Sequence, residues 1–280
     1  MGRTTARRRV IRLGGPTEVE RPDTLVVEEP LEIRVGGSPL AVTMRTPGDD
    51  MDLAAGFLVS EGVITQTDEL VAMRYCAGAT DEGLNTYNVL DLTLAAGVAP
   101  PDPSLARAFY TTSSCGLCGK ASLDAVRTSA RWSVAGDPLS VSAATLATLP
   151  DLLRAAQQVF DKTGGLHGAG LFTADGALLV MREDVGRHNA VDKCVGWALR
   201  EGLLPLRGTI LLVSGRASFE LTQKAWMAGI PLLAAVSAPS SLAVDLAEEA
   251  GMTLVGFLRG PSMNLYAGAH RVQRSCGRRV

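Results

Sequence analysis

Three short apolar runs near the C-terminal end, residues 209–213, 232–236 and 253–258, constrain this chain most. They alternate with two segments of helical spacing, residues 219–228 and 242–250. A strand with no polar alternation must be covered on both faces. Such runs separated by helices therefore predict a largely parallel sheet with helices on either side. The pattern extends upstream. Leu152, Leu153, Ala156, Val159 and Phe160 predict a helix that stops at Gly164-Gly165. Residues 169–173 and 177–182 flank Asp175-Gly176, a strong hairpin signal. Residues 189–200 predict a helix with Val191, Cys194, Val195 and Ala198 on one face. The order is α-β-β-α-β-α-β-α-β. Ligands of such sheets gather beyond the carboxyl ends of the strands. Here those ends are Ser214-Gly215-Arg216, residues 238–241 and Arg259-Gly260-Pro261.

The first half reads differently. Residues 25–35 and 40–44 alternate partly and are split by Gly36-Gly37-Ser38-Pro39, which predicts a hairpin. Residues 49–61 carry Met51, Leu53, Ala54, Phe57 and Leu58 at helical spacing, with Gly62 as a stop. Residues 75–76 and 86–94 read as further strands. A polar, glycine-bearing connector follows at residues 110–120, then a short helical pattern of Ala121, Leu123 and Val126. Gly136-Asp137-Pro138 marks the expected boundary. The expected organisation is an α/β chain: a basic flexible arm (1–20), a small α+β domain (21–135), a second α/β domain (136–269) and a basic tail (270–280).

Charge supports the two ends as separate. Lys and Arg total 27, and nine of these arginines lie in residues 1–12 and 270–280, leaving 18 against 29 acids elsewhere. Basic tails on an acidic body do not read as a nucleic-acid-binding domain. No run approaches the roughly 20 apolar residues of a membrane helix, and the N-terminus has no apolar signal segment. The expectation is a cytoplasmic protein that binds neither nucleic acid nor membrane.

There are five cysteines, Cys76, Cys115, Cys118, Cys194 and Cys276. An odd number with one close pair argues against a secreted disulfide framework. Cys115-Gly-Leu-Cys118 is a lone C-x-x-C, open to redox, metal or sulfur-transfer chemistry. Its small neighbours, Lys120, and a helix start near Cys118 would each favour a thiolate. A zinc site needs two more ligands, and Cys76, His167, His188 and Cys276 show no second paired spacing. Three further segments stand out. Residues 163–170 are glycine-rich around His167, without a nucleotide-binding fingerprint. Residues 182–193 pack Glu183, Asp184, Arg187, His188, Asn189, Asp192 and Lys193 between a strand and a helix. Ser214-Gly215-Arg216 opens a helix, where backbone donors and a guanidinium fork suit phosphate oxygens.

Taken together, these segments resemble the FdhD family of formate dehydrogenase accessory sulfur carriers. The landmarks are Arg45-Thr-Pro-Gly-Asp, Leu53-Ala-Ala-Gly-Phe-Leu, Ser113-Ser-Cys-Gly-Leu-Cys-Gly-Lys120, Gly164-Gly-Leu-His-Gly168, Glu183-Asp-Val-Gly-Arg-His-Asn-Ala-Val-Asp-Lys193, Ser214-Gly-Arg216 and Val255-Gly-Phe with Arg259. They span residues 21–269. The resemblance implies that a cysteine desulfurase passes persulfide sulfur to Cys115; Cys118 is the second candidate, either carrying sulfur or assisting. The sulfur then goes to the molybdenum or tungsten of bis-molybdopterin guanine dinucleotide, before that cofactor enters formate dehydrogenase. It implies a homodimer whose second half resembles the cytidine deaminase fold, with no structural metal. The family's cofactor-binding stretch matches Phe257, Leu258, Arg259, Gly260, Pro261 and Ser262. Ser214, Gly215, Arg216, His188 and Asn189 are the further candidates, and Arg187 and Lys193 are expected, with Arg216 and Arg259, to supply positive charge for an anionic cofactor.

Three rivals make distinct demands. A zinc deaminase requires H-x-E ahead of P-C-x-x-C, and this sequence has no H-x-E, with Ser114 in place of the proline. A dithiol oxidoreductase would cycle a Cys115–Cys118 disulfide. A non-catalytic cofactor chaperone would retain binding without either cysteine.

Overall fold

The computed structural model describes residues 3–14, 18–76, 87–101 and 130–274. Cys115, Cys118 and Cys276, and the expected helix near Ala121, lie outside the described residues. The first sheet is formed by β3 (Glu29–Val35), β4 (Ser38–Arg45), β5 (Leu70–Tyr75) and β6 (Val89–Leu94), in the order β4-β3-β6-β5. The β3–β4 hairpin turns at Gly36 and Gly37, both at positive φ, as the sequence predicts. Leu31, Ile33, Leu90 and Leu92 point from this sheet onto α1 (Asp50–Ser60).

Helix α1 forms where its spacing predicts and is buried on more than one side. Residues 52–60 are all buried, because a second helix, α4 (Arg187–Arg200), packs on its other side. The approach is set by two glycines. A Cβ placed on Gly56 would lie 1.8 Å from the Asp192 carbonyl oxygen, and one on Gly196 would lie 1.8 Å from that of Asp52. Only hydrogen on both Cα atoms permits this spacing.

The second sheet has six strands, in the order β13-β12-β11-β10-β8-β9. They are β8 (His167–Thr173), β9 (Leu178–Asp184), β10 (Thr209–Val213), β11 (Leu232–Ala235), β12 (Thr253–Arg259) and β13 (Ser262–Ala267). The pairs β10–β11 and β11–β12 are parallel, while β8–β9, β8–β10 and β12–β13 are antiparallel. The sheet is thus mixed rather than largely parallel, because hairpins close it at both edges. Leu211 and Val213 face α4, while Ile210 and Leu212 join the cluster holding Leu146, Leu149 and Leu153 of α2 (Ala143–Ala156). Helices α5 (Phe219–Met227) and α6 (Ser241–Ala250) cover the same face as α4. The uninterrupted apolar strands are explained by this two-sided burial.

Several expectations are corrected. Residues 1–20 do not form a featureless arm: β1 (Thr5–Arg12) pairs antiparallel with β2 (Val19–Val26) through eight residue pairs. The arginine count concealed Val10, Ile11, Val19, Thr24 and Val26, whose branched side chains favour strand. The helix expected across Leu152 to Phe160 is two helices, α2 and α3 (Gln158–Thr163), with the break at Gln157. The Glu183 carboxylate accepts hydrogen bonds from the Val159 and Phe160 amides and so starts the second. The expected basic tail is not uniformly solvated either. Arg271 is 1% exposed, and its guanidinium donates to the carbonyls of Val134, Ala135, Asp137 and Gly251. Beside it β14 (Val272–Gln273) pairs with β7 (Val141–Ser142). Asp137, at the expected boundary, is also anchored: its carboxylate accepts from the amides of Leu139 and Gly208. Among the described residues no helix is long and apolar enough to cross a membrane.

The glycine contact yields a direct test. Gly56→Ala sets a methyl group against rigid backbone, so its cost should reach or exceed about 3 kcal/mol, the upper part of the overpacking range. Urea denaturation would register it as a lowered midpoint, and an unchanged midpoint would contradict the packing described.

Candidate functional site

The mixed topology brings unexpected neighbours to one edge of the second sheet. The carboxyl ends of β10, β11 and β12 lie there, as expected. Because β8 runs antiparallel to β10, its first residue His167 lies there too, opposite Asp184 at the end of β9. Ser214 joins the strands: its amide donates to the Gly168 carbonyl at 2.9 Å, and its Oγ accepts from the Gly168 amide at 2.9 Å. The next loops are laced likewise. The Ser237 amide donates to the Gly215 carbonyl, the Ser240 amide to that of Ala217, and the Phe257 amide to that of Ser237.

The candidate residues divide by what their side chains do. Arg216, Arg259, Pro261 and Ser262 are exposed. Arg259 donates from Nε to the Val236 carbonyl at 3.2 Å, and its guanidinium carbon stands 5.9 Å from the Phe257 ring centre. Phe257 itself sits at φ +51° beside the irregular pairing of β12 with β13, and Gly260 at φ +52° makes the following turn. Leu258 is fully buried in the α2-facing core, so it offers a ligand only its backbone. His188 lies 3.2 Å from the Glu220 carboxylate and 3.4 Å from Ser218 Oγ. That bond to His188, with help from Ser218, outweighs partial burial and holds Glu220 down at about 2. Asn189 turns inward. Its amide donates to the Met44 carbonyl and to Asp184, and its oxygen accepts from Thr43 Oγ1. It ties α4 to β4 rather than facing outward.

Beneath the edge lies a set of buried charges. Lys193 Nζ is 2.8 Å from Asp184 Oδ2, both essentially unexposed, and also donates to the Thr46 carbonyl. Asp184 accepts further bonds from the amides of Thr46 and Gly186. Deeper, Lys224 Nζ donates to both oxygens of Asp192, which also accepts from Ser60 Oγ. Asp52 is held by Arg182 and Arg200. Lys193 therefore belongs to the interior and adds no charge at the surface. Cys194 is fully buried, its thiol pushed up to about 12 by burial, as its place on the apolar helix face predicts. Among the described residues no three His, Cys, Asp or Glu side chains converge as metal ligands would.

Sequence reasoning undervalued His167, while Arg187 was among its expected cations. Counting back from the Asp175-Gly176 turn would have set His167 across from Asp184. Reading the segment as a glycine-rich turn hid that register.

The fold and edge define a class: a two-sheet α/β protein whose halves share one buried helix pair, with arginines and histidines gathered at the strand ends. A model of the FdhD/NarQ family matches residues 26–273, and the chain belongs to that family. The sulfur carrier protein FdhD of Streptomyces avermitilis is 69% identical over 273 residues, covering 97% of each chain. That of Mycobacterium tuberculosis is 59% identical over 275 residues, covering 97% of this chain and 100% of its own. The fold is also that of a crystal structure from Desulfotalea psychrophila, put forward as a formate dehydrogenase accessory protein. It superposes with a TM-score of 0.74 at 22% identity, covering 97% of this chain and 100% of that one.

The buried pair under the edge can be tested by itself. Lys193→Met leaves the Asp184 carboxylate without its cation, so folding stability should fall by about 3–5 kcal/mol. Chemical denaturation measures this, and a loss below about 1 kcal/mol would show that the remaining amide donors suffice.

Proposed function

We propose that this protein is a sulfur carrier that takes persulfide sulfur from a cysteine desulfurase onto Cys115. It then delivers that sulfur to bis-molybdopterin guanine dinucleotide destined for formate dehydrogenase. The near full-length identity with sulfur carrier proteins named FdhD carries this reading. In the first step the Cys115 thiolate attacks the outer sulfur of the donor persulfide. The donor's S–S bond breaks, and its cysteine leaves as a thiolate. Cys118 stands three residues on to assist release.

The dinucleotide is the substrate: the S–S bond on Cys115 would break, Cys115 leaving as a thiolate, and the outer sulfur would take two electrons from the reduced metal, molybdenum or tungsten, to bind it as sulfide. The diphosphates of the dinucleotide are anionic, whereas outside the two tails this chain carries 18 basic against 29 acidic residues. Binding therefore needs local cations. Arg216 and Arg259 provide them at the strand ends, with Ser214, Gly215, Gly260, Pro261 and Ser262 lining the loops between. The side chains present fit such a group: the exposed guanidiniums suit phosphate oxygens, and glycine at 215 and 260 lets backbone approach closely. Phe257 supplies an aromatic face, and His188 a hydrogen-bonding ring held by Glu220. Asn189 contributes by fixing α4. We further read residues 136–269 as a three-layer, cytidine-deaminase-like unit following the small α+β unit of residues 21–135, in a cytoplasmic homodimer. The strand order and the helices on both sheet faces support the deaminase-like unit, while the cytoplasmic homodimer follows from the family resemblance alone.

The decisive experiment incubates the protein with a cysteine desulfurase and cysteine, followed by mass spectrometry. A persulfide adds about 32 Da to the peptide containing Cys115. Cys115→Ala should abolish loading and formate dehydrogenase maturation together. His188→Ala should leave loading intact while lowering maturation. Undiminished loading in Cys115→Ala would refute the assignment, and persistence of maturation without either cysteine would favour the chaperone reading.

A second outcome concerns the client site. Arg259→Ala and Arg216→Ala should each weaken guanosine diphosphate binding by about 1.5–3 kcal/mol, and rising salt should weaken it further by screening. Calorimetry showing wild-type affinity in both variants would place the pocket elsewhere.

A further inference from the structure

Arg187 opens α4, half-buried, yet none of its guanidinium nitrogens has a hydrogen-bond partner among the described residues, and its Nε is cut off from solvent. The neighbouring acids are committed elsewhere. Asp184 serves Lys193, Asn189 and the amides of Thr46 and Gly186. Glu183 starts α3, and Glu220 is taken by His188 and Ser218. Arg187 is thus a half-buried cation at the edge that no carboxylate pairs with among the described residues. His167 lies across the β8–β9 ladder from Asp184, which is three residues before Arg187 at the start of α4. Burial above all, then Arg187 and His188, holds the His167 ring below its ordinary value, against an opposing pull from Asp184. The neutral form of the ring is thereby favoured. A Cβ on Gly215 would stand 3.5 Å from His167 Nδ1, in ordinary contact, which sets the Gly215 loop directly against the ring.

We propose that His167 and Arg187 together bind a singly charged sulfur anion, a terminal S⁻ of the persulfide or hydrosulfide type. The identity of the anion rests on the sulfur-carrier reading; the existence of an anion site rests on the unpaired guanidinium. The charge balance favours a monoanion. With His167 neutral, the site offers one full positive charge and the partial charge of a helix N-terminus, about half a unit. Partial burial penalises a strongly hydrated phosphate dianion more than a large, polarisable sulfur anion. Guanidinium is the more weakly hydrated of the biological cations and pairs well in such a setting. The neutral imidazole adds a donor N–H for the anion and an acceptor nitrogen for its protonated S–H form.

The chain has three histidines, so ring resonances can be followed individually, with His167→Gln identifying the signal. The protein is titrated under anaerobic conditions with sodium hydrosulfide, sodium thiocyanate and sodium phosphate, using Cys115→Ala so that no sulfur is carried. Hydrosulfide and thiocyanate should shift the His167 resonances saturably and raise its titration midpoint, with phosphate weaker. Arg187→Gln should weaken the apparent affinity at least about tenfold, a loss of about 1.4 kcal/mol, and Arg187→Lys should restore part of it. An equal response in wild type and Arg187→Gln, no response to either sulfur anion, or tighter binding of phosphate would each overturn the proposal. A parallel arm uses wild-type protein loaded by a desulfurase. A His167 shift without added anion makes the carried persulfide the source, whereas a shift with hydrosulfide alone makes it the free anion. Failure to load would count against the sulfur-carrier reading, while the anion titration of Cys115→Ala stands independently of it.

Discussion

The contact of α1 with α4, glycine against backbone, governs the arrangement of everything around it. It is reciprocal: each helix offers a bare Cα at Gly56 or Gly196 and a carbonyl at Asp52 or Asp192. The same two aspartates send their carboxylates sideways, Asp52 to Arg182 and Arg200, Asp192 to Lys224 and Ser60. Close approach of two backbones thus comes with charged anchors that fix rotation about the helix axes. The desolvation cost of such pairs is large, so they are weak evidence for added stability, but removing one partner from any of them is expensive. One consequence is that β4 reaches α4, where Thr43 and the Met44 carbonyl meet Asn189. Both halves of the chain therefore build the strand-end edge.

At that edge the distribution of charge is as informative as the residues themselves. Acids near the surface are consumed by internal donors, and the cations are left facing outward. Asp184 is fully buried and saturated, whereas Arg216 and Arg259 are exposed. A chain with an acidic body can in this way present a locally positive rim without any excess of basic residues. The carboxylates serve architecture, and the Arg216 and Arg259 guanidiniums are left exposed.

Much of this was legible in the sequence. The hairpin at Gly36-Gly37, helix α1, the turn at Asp175-Gly176, and the succession from α4 to β12 follow from periodicity and glycine placement. What escaped prediction has a physical cause in each case. Strand direction in the sheet depends on long-range pairing, so the antiparallel β8 and β13 could not be read from apolar runs. The break at Gln157 depends on a carboxylate from Glu183, 26 positions away. Arg271 looked like part of a solvated tail because its partners are carbonyls, which leave no mark in a sequence. At the candidate site, His188 was found as a polar residue out of place beside glycine. The inward turn of Asn189 and the exposed state of Arg216 are tertiary facts.

Phe257 holds a left-handed backbone at φ +51°, a conformation that costs a non-glycine residue of order 1–3 kcal/mol. The aromatic ring there is thus kept at the expense of backbone strain. Glycine in its place would relieve the backbone but give up the ring's contact with the Arg259 guanidinium and add chain entropy to the unfolded state, so the change in melting temperature reads which of these is larger. The residue opposite the Arg259 guanidinium is in this sense a compromise between ring and backbone. It marks a position where relief of the backbone and retention of the aromatic face pull in opposite directions.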